Sequence, residues 1–381
     1  MASYLKAGFL VDVIETDPIT VKSLEQNTWT STEPHVSELI REHHGKLRVN
    51  NIELAVQENE FFLIIVPTPS TPYGNFFSGH VREVIETLLG ANGAHQEEKI
   101  IILKSTVSPG TCETLQADLL SKTVGWKLVY NPEFIALGSV MDNLSEPNLL
   151  LIGSSELKAA ERAKKISFAI SKTKSTHVLS TAGAEIAKLA VNTFVTTKIS
   201  FANLIGALAD AHKIEEPSAV LKAVGSDPRI GNSYLKPGLG FGGPCFPRDN
   251  TALSIALREQ GLDSSMPESV DHVNSLIPAQ RLQRLGDTPP MGKVLFVGLA
   301  YKFGSDFISP SQASEVAVSL FRKGWDIIAW DPFVKTEEFP FPVVRGIPAD
   351  TGFVAVIMAV FDNAMEQEVL DKFSQTEVHY L

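Results

Sequence analysis

KIIILKSTVSPGT, Lys99 to Thr111, is a run of aliphatic residues closed by Ser, Thr, Pro and Gly. A short, β-branched apolar run bounded by turn residues reads as a strand buried on both faces, the kind that parallel sheets use. The same pattern recurs on either side, in LVDVIE (10–15), FFLIIVP (61–67), WKLVYN (126–131) and NLLLIG (148–153). Helical patterns separate these runs, so residues 1 to about 180 read as a doubly wound parallel sheet of the α/β class. Loops that follow the strands, VPTPSTP, STVSPGT and NPEF, carry the residues expected around a ligand crevice. Beyond them a long helical segment runs from Thr181 to about Ala211, and further helices reach about Arg284. Pro289-Pro290 marks a linker. After it GKVLFVGLAYK (292–302), a helix from Gln312 to about Lys323, DIIAWDP (326–332) and AVIMAVF (355–361) repeat the alternation in a second α/β domain.

Composition narrows the function classes. At 381 residues the chain is too long for one ordinary core. Its 44% apolar and 20% charged residues are those of a globular protein, and a net charge of -11 with no basic block argues against a nucleic-acid partner. Two cysteines, Cys112 and Cys245, make no disulfide framework, and no Cys/His spacing reads as a metal site. The longest apolar runs fall far short of a membrane span, and the N-terminus lacks a signal-peptide pattern. A cytoplasmic protein with no membrane partner is the expectation.

GLGFGGPCFPRDN (238–250) places Cys245 in a glycine-rich bend. Pro247 suits a first helical turn, so Cys245 should lie just before a helix N-terminus, where partial positive charge and Arg248 favour a thiolate. A buried structural cysteine is the alternative. In AEIAKLAVNTFVTTKISFANL (184–204), Glu185, Lys188, Asn192, Thr196 and Asn203 fall on one narrow polar stripe of an otherwise apolar helix. The stripe either faces something specific or is a solvated face. If Lys188 and Asn192 face Cys245, they could donate to an oxyanion formed when the thiolate attacks a carbonyl. Asp249, one turn after the cysteine, could activate water, or could simply cap the helix.

These motifs, together with KSTVSPGT, NPEF and GLAYK in that order, resemble the UDP-glucose/GDP-mannose dehydrogenase family over nearly the whole chain. The resemblance implies two Rossmann-like doubly wound parallel-sheet domains joined by a central helical domain with a long helix. Residues 1–180 would bind NAD, 181–288 would form a dimerisation domain bearing the cysteine loop, and 289–381 would bind a nucleotide sugar. It implies a nucleotide-sugar 6-dehydrogenase, most simply of a UDP-sugar, that oxidises a primary alcohol to a carboxylate in two NAD-dependent steps. Cys245 would form a thiohemiacetal and then a thioester. Lys188 and Asn192 would hold the oxyanion and a water, Asp249 would assist hydrolysis, and Thr106 and Glu133 would position water and move protons. Taken alone, Thr106 reads as a strand-end hydroxyl and Glu133 as a loop carboxylate.

Cofactor contacts carried over in this way are Glu15, Pro67, Thr68, Thr106 and Arg248. Substrate contacts are Glu133, Phe134, Lys188, Asn192, Gly242, Lys302 and, from DPRIGNSYLKPG (227–238), Arg229, Tyr234, Leu235 and Lys236. Arg229 would reach the substrate of a neighbouring subunit, which makes a homodimer or higher oligomer part of the site. Lys236 and Lys302 read as surface lysines without the resemblance.

The chain also departs from the family. It opens at what corresponds to the end of the first helix, without the first strand and its GxGxxG turn, which seats the cofactor pyrophosphate. Losing that strand would expose two strand edges, so a start placed too late is the expectation. The alternative is a relative that has lost NAD binding and serves as a non-catalytic nucleotide-sugar-binding or oligomer-forming protein. Leu137 stands where the family has a second Glu, Ser309 where an Arg is usual, and Arg248 where CFPKD has lysine. EVHYL, at the end, implies a short or missing family tail.

Overall fold

The computed structural model describes residues 1–91, 98–173, 175–349 and 352–381. The chain packs as two units, Met1–Leu189 and Ala190–Leu381.

In the first unit, β1 (Val11–Val13) and β2 (Leu47–Val49) form a parallel pair, separate from a five-stranded sheet. That sheet runs β3 (Phe61–Ile64), β4 (Lys99–Leu103), β5 (Trp126–Tyr130), β6 (Leu150–Gly153) and β7 (Thr176–Leu179), in that order. Strand β4 shows why an unbroken apolar run is needed. Ile101 and Leu103 enter the core on one face, with Val81, Ile85 and Leu115, while Ile100 and Ile102 enter the other, with Ala159, Ala160 and Ala163. Among the described residues no strand joins β1 to β3.

NLLLIG forms β6 as the apolar run predicts, but it does not extend an all-parallel sheet. It meets β5 antiparallel through the single pair Tyr130 and Gly153, while β7 lies parallel to it. Parallel neighbours need a crossover element packed on the sheet. The connection here holds only the short helix Val140–Ser145, which buries no side chain. LVDVIE is likewise shorter than its apolar content suggests, contributing three residues to β1.

In the second unit the strands are β8 (Lys293–Val297), β9 (Asp326–Trp330), β10 (Val343–Val344), β11 (Phe353–Met358) and β12 (Glu377–Tyr380). Their order, β10-β9-β8-β11-β12, is parallel throughout, and the chain reverses its winding direction between β8 and β11. Val294 and Phe296 of β8 face one core and Leu295 and Val297 the other, the two-sided burial of a central strand. Gly298 follows at φ +82°, and a side chain there would strike the Val360 carbonyl. Only glycine turns the chain out of β8 at this point. The residues that follow are anchored by buried Asp331, whose Oδ2 accepts from Leu299 N at 2.8 Å and Ala300 N at 3.2 Å.

The long helix spans Thr181–Ala211, and the cysteine helix spans Phe246–Glu259 with Cys245 as the residue before its first turn. No helix of the described residues is long and apolar enough to cross a membrane.

Candidate active site

All five residues of the polar stripe on the long helix are buried, so it is not a solvated face. A buried polar group must find a partner, and each of these does. Glu185 accepts from Gly110 N at 2.6 Å and Cys112 N at 2.8 Å, and so pins the loop after β4. Burial pushes the Glu185 carboxyl above its ordinary value. The Cys112 thiol is raised by its own burial and by Glu185 beside it. Lys188 donates to the Glu133 carbonyl at 3.0 Å, with its ammonium 4.5 Å from the centre of the Phe134 ring. Lys188 is thereby joined to NPEF, at the C-terminal end of β5.

The rest of the first unit's site lines the ends of β3, β4 and β5. Thr68 donates its hydroxyl to the Thr106 carbonyl at 2.8 Å, while Ser105 Oγ accepts from Val66 N and donates to Val66 O. The loops bearing Pro67, Thr68 and Thr106 are thus laced together. Glu133 reaches back to Lys104, whose Nζ lies 2.5 Å from Glu133 Oε1 and 2.6 Å from Asn131 Oδ1. Lys104 and Asn131 open the KSTVSPGT and NPEF motifs, which give neither a role, and this network makes both functional candidates. Glu15, just beyond β1, is exposed, and its Oε1 accepts from Thr16 N at 2.7 Å and Asp17 N at 3.0 Å.

These residues fit a nicotinamide dinucleotide in part. A carboxylate at the end of an early parallel strand suits ribose hydroxyls, and the laced loops stand at the carboxyl ends of strands, where such ligands lie.

In the second unit the rest of the stripe holds the cysteine loop and the helix that follows it. Asn192 donates to Asp249 Oδ2 at 2.6 Å, and Asp249 is buried one turn along the helix that Cys245 opens. Thr196 donates to Asn250 Oδ1 at 2.9 Å, and Asn250 donates to Asp271 Oδ1 at 2.9 Å. Cys245 itself is exposed. Asn203 accepts from Gly238 N at 3.1 Å and from Arg281 Nη2 at 3.0 Å, while Arg281 also grips the Gly238 carbonyl at 2.6 Å. Burial pulls Arg281 down to about 10, so this clamp keeps its proton at neutral pH. Gly240 N donates to Gln312 Oε1, Phe241 N to Asn274 Oδ1 and Gly243 N to the Pro310 carbonyl. Several peptide groups of the loop are therefore fixed, by the side chains of Gln312 and Asn274 and by the Pro310 carbonyl.

The remaining predicted contacts are more scattered. Gly242 is buried beside the Pro310 carbonyl and Arg248 is half-buried on the cysteine helix. Leu235 packs with Ala202 and Leu221, whereas Tyr234 (φ +63°) and Lys236 on either side of it are exposed. Arg229 is exposed and paired with Asp227 at 2.6 Å. Lys302 has its ammonium 6.0 Å from the centre of the Tyr301 ring. Among the described residues no group of three His, Cys, Asp or Glu side chains could hold a metal ion.

Residues 1–170 match the NAD binding domain model of the UDP-glucose/GDP-mannose dehydrogenase family, and residues 182–276 match the model of its central domain. The chain belongs to this family. A Bacillus subtilis protein, YtcA, named as a candidate UDP-glucose 6-dehydrogenase, is 31% identical over 84% of this chain and 76% of its own length. The UDP-glucose 6-dehydrogenase AglM of Haloferax volcanii is 29% identical over 88% of this chain and 80% of its own. In three dimensions the chain is similar to a UDP-glucose dehydrogenase from the archaeon Pyrobaculum islandicum. The TM-score is 0.84 at 28% identity, with 96% of this chain and 87% of that one covered. As a member of the family the chain is an NAD-dependent nucleotide-sugar dehydrogenase with a doubly wound α/β fold.

Proposed function

We propose that this dehydrogenase oxidises C6 of a UDP-sugar of the UDP-glucose type twice, from alcohol to carboxylate, through a covalent adduct on Cys245. The observation that carries this reading is an exposed thiol at a helix start, with a buried carboxylate one turn on that is held by an amide at 2.6 Å. NAD, when bound, accepts a hydride from the sugar carbon in each oxidation. The Cys245 sulfur adds to the C6 aldehyde, and the carbonyl oxygen takes up a proton to give a thiohemiacetal. Loss of hydride and that proton leaves a thioester, which water cleaves to carboxylate and thiol. Lys188 and Asn192 stabilise the developing oxyanion, and Asp249 takes the proton of the attacking water. Thr106 and Glu133 position water and move protons, Glu15, Pro67, Thr68, Thr106 and Arg248 contact the cofactor, and Phe134, Gly242, Tyr234, Leu235, Lys236 and Lys302 contact the nucleotide sugar. Residues 1–180 serve the cofactor, 181–288 the thiol and dimer, and 289–381 the nucleotide sugar, in a cytoplasmic enzyme. A panel of UDP- and GDP-sugars should give turnover with a UDP-hexose and two NADH per uronate. Turnover with GDP-sugars alone, or one NADH per sugar, would sink this reading.

We also propose that the enzyme pairs with a second copy through the long helix. Phe194, Phe201, Leu204 and Leu208 are 62%, 46%, 54% and 55% exposed, and their spacing puts them on one helical face. A contiguous apolar stripe of this kind marks an interface. Arg229, exposed in the single chain, would reach the partner's substrate. Light scattering should report a dimer or a larger even oligomer. Phe201→Glu with Leu204→Glu should give monomers with markedly reduced turnover, whereas a wild-type monomer overturns the pairing.

A further inference from the structure

Lys104 directly follows β4, where the chain passes into the Ser105 to Gly110 loop, and it is 6% exposed. A buried ammonium costs several kcal/mol unless it is paired and hydrogen-bonded, and this one has two acceptors of different kinds. The first, Asn131, is completely buried and locked. Its Nδ2 donates to Leu151 O at 2.8 Å, and its Oδ1 accepts from Ser167 Oγ at 2.9 Å as well as from Lys104. The second is the Glu133 carboxylate. Lys104's side chain is 4% exposed, but that of Glu133 is 29% exposed, so the pair is asymmetric. Its cation is fixed from the interior, while its anion stays within reach of a ligand. The Glu133 carbonyl is held by Lys188 at the same time. Two lysines from different elements therefore fix the carboxylate and the main chain of one residue.

We propose that Lys104 is a positioning residue for Glu133, holding its carboxylate in one place at the end of β5 through the relay Ser167, Asn131, Lys104. This rests on the reading that Glu133 takes part in the oxidation. A catalytic group displaced by about 1 Å can lose about 10²-fold in rate, so Lys104→Met should lower kcat by about that much. KM should stay within about threefold, because the loss falls on a group that acts in the transition state. Lys104→Arg, which keeps the charge, should recover most of the rate.

The test is a double-mutant cycle on the full chain with UDP-glucose and NAD, using Lys104→Met, Glu133→Gln and the two combined. Lys104→Gln replaces Lys104→Met if that protein does not fold. If Lys104 acts through Glu133, its loss costs nothing more once Glu133 is glutamine, so the double variant should be no slower than Glu133→Gln alone. Additive losses, or Lys104→Met at wild-type kcat, overturn the proposal and leave the role of Glu133 standing. Glu133→Gln at wild-type kcat overturns the role of Glu133 itself, and with it the proposal.

Discussion

Cys245→Ser should lower carboxylate formation from a UDP-hexose by on the order of 10⁴-fold, with the protein as stable as the wild type. The two halves of this expectation have separate causes. Serine is close in size to cysteine, and Cys245 is an exposed residue just before the first turn of Phe246–Glu259. Serine keeps the size and the small polar head of the side chain at this exposed position, so the fold should be little changed. Chemistry should fail nonetheless, because an unactivated hydroxyl is a far weaker nucleophile than a sulfur whose developing negative charge the helix end favours. Steady-state NADH formation, with uronate measured by chromatography, checks the rate, and thermal unfolding checks the fold. Retention of more than about a tenth of the wild-type kcat would remove the covalent route, since knocking out a true nucleophile costs orders of magnitude more.

What the sequence makes legible, and what it hides, follows from which signals are local. The long helix can be read residue by residue, because Glu185, Lys188, Asn192, Thr196 and Asn203 keep one face over many turns while the surrounding positions are mostly apolar. The buried strands β4, β8 and β11 are legible too, as short apolar runs. Strands β2 and β7 are not, since LRV and THVL are short and β7 is mostly exposed. The direction of β6 is hidden too, because an apolar run carries no sign of which way its neighbour points. Cys245 stands out through its glycines and prolines. Lys104 does not, because a lysine following an apolar strand looks like an ordinary strand end until Asn131 and Glu133 are seen around it. Arg281 is obscured on Ser265–Leu285, a helix without clear apolar periodicity, and its role as a clamp on Gly238 depends on a loop far away in sequence.

Asp249→Asn should slow steady-state turnover by about 10²–10⁴-fold, the usual worth of a general base, while leaving the formation of the covalent adduct largely intact. The pair it breaks is specific. Asp249 is buried, and its Oδ2 accepts from Asn192 Nδ2 at 2.6 Å. Asparagine at position 249 can still offer a carbonyl oxygen to Asn192, so the helix contact survives, but it can no longer take a proton from water. Both oxidations precede hydrolysis, so each site should release its two NADH equivalents in a burst and then stall as the thioester. Rapid-quench mass spectrometry should find a uronyl adduct on the Cys245 peptide, absent in Cys245→Ser. Asp249→Ala should do worse than Asp249→Asn, because it also strips Asn192 of an acceptor inside a buried site, and losing a partner there costs about 1–3 kcal/mol. The distinction matters for the assignment. If Asp249 served only to cap the helix, Asp249→Asn would leave the burst and the steady state equal, and no adduct would accumulate.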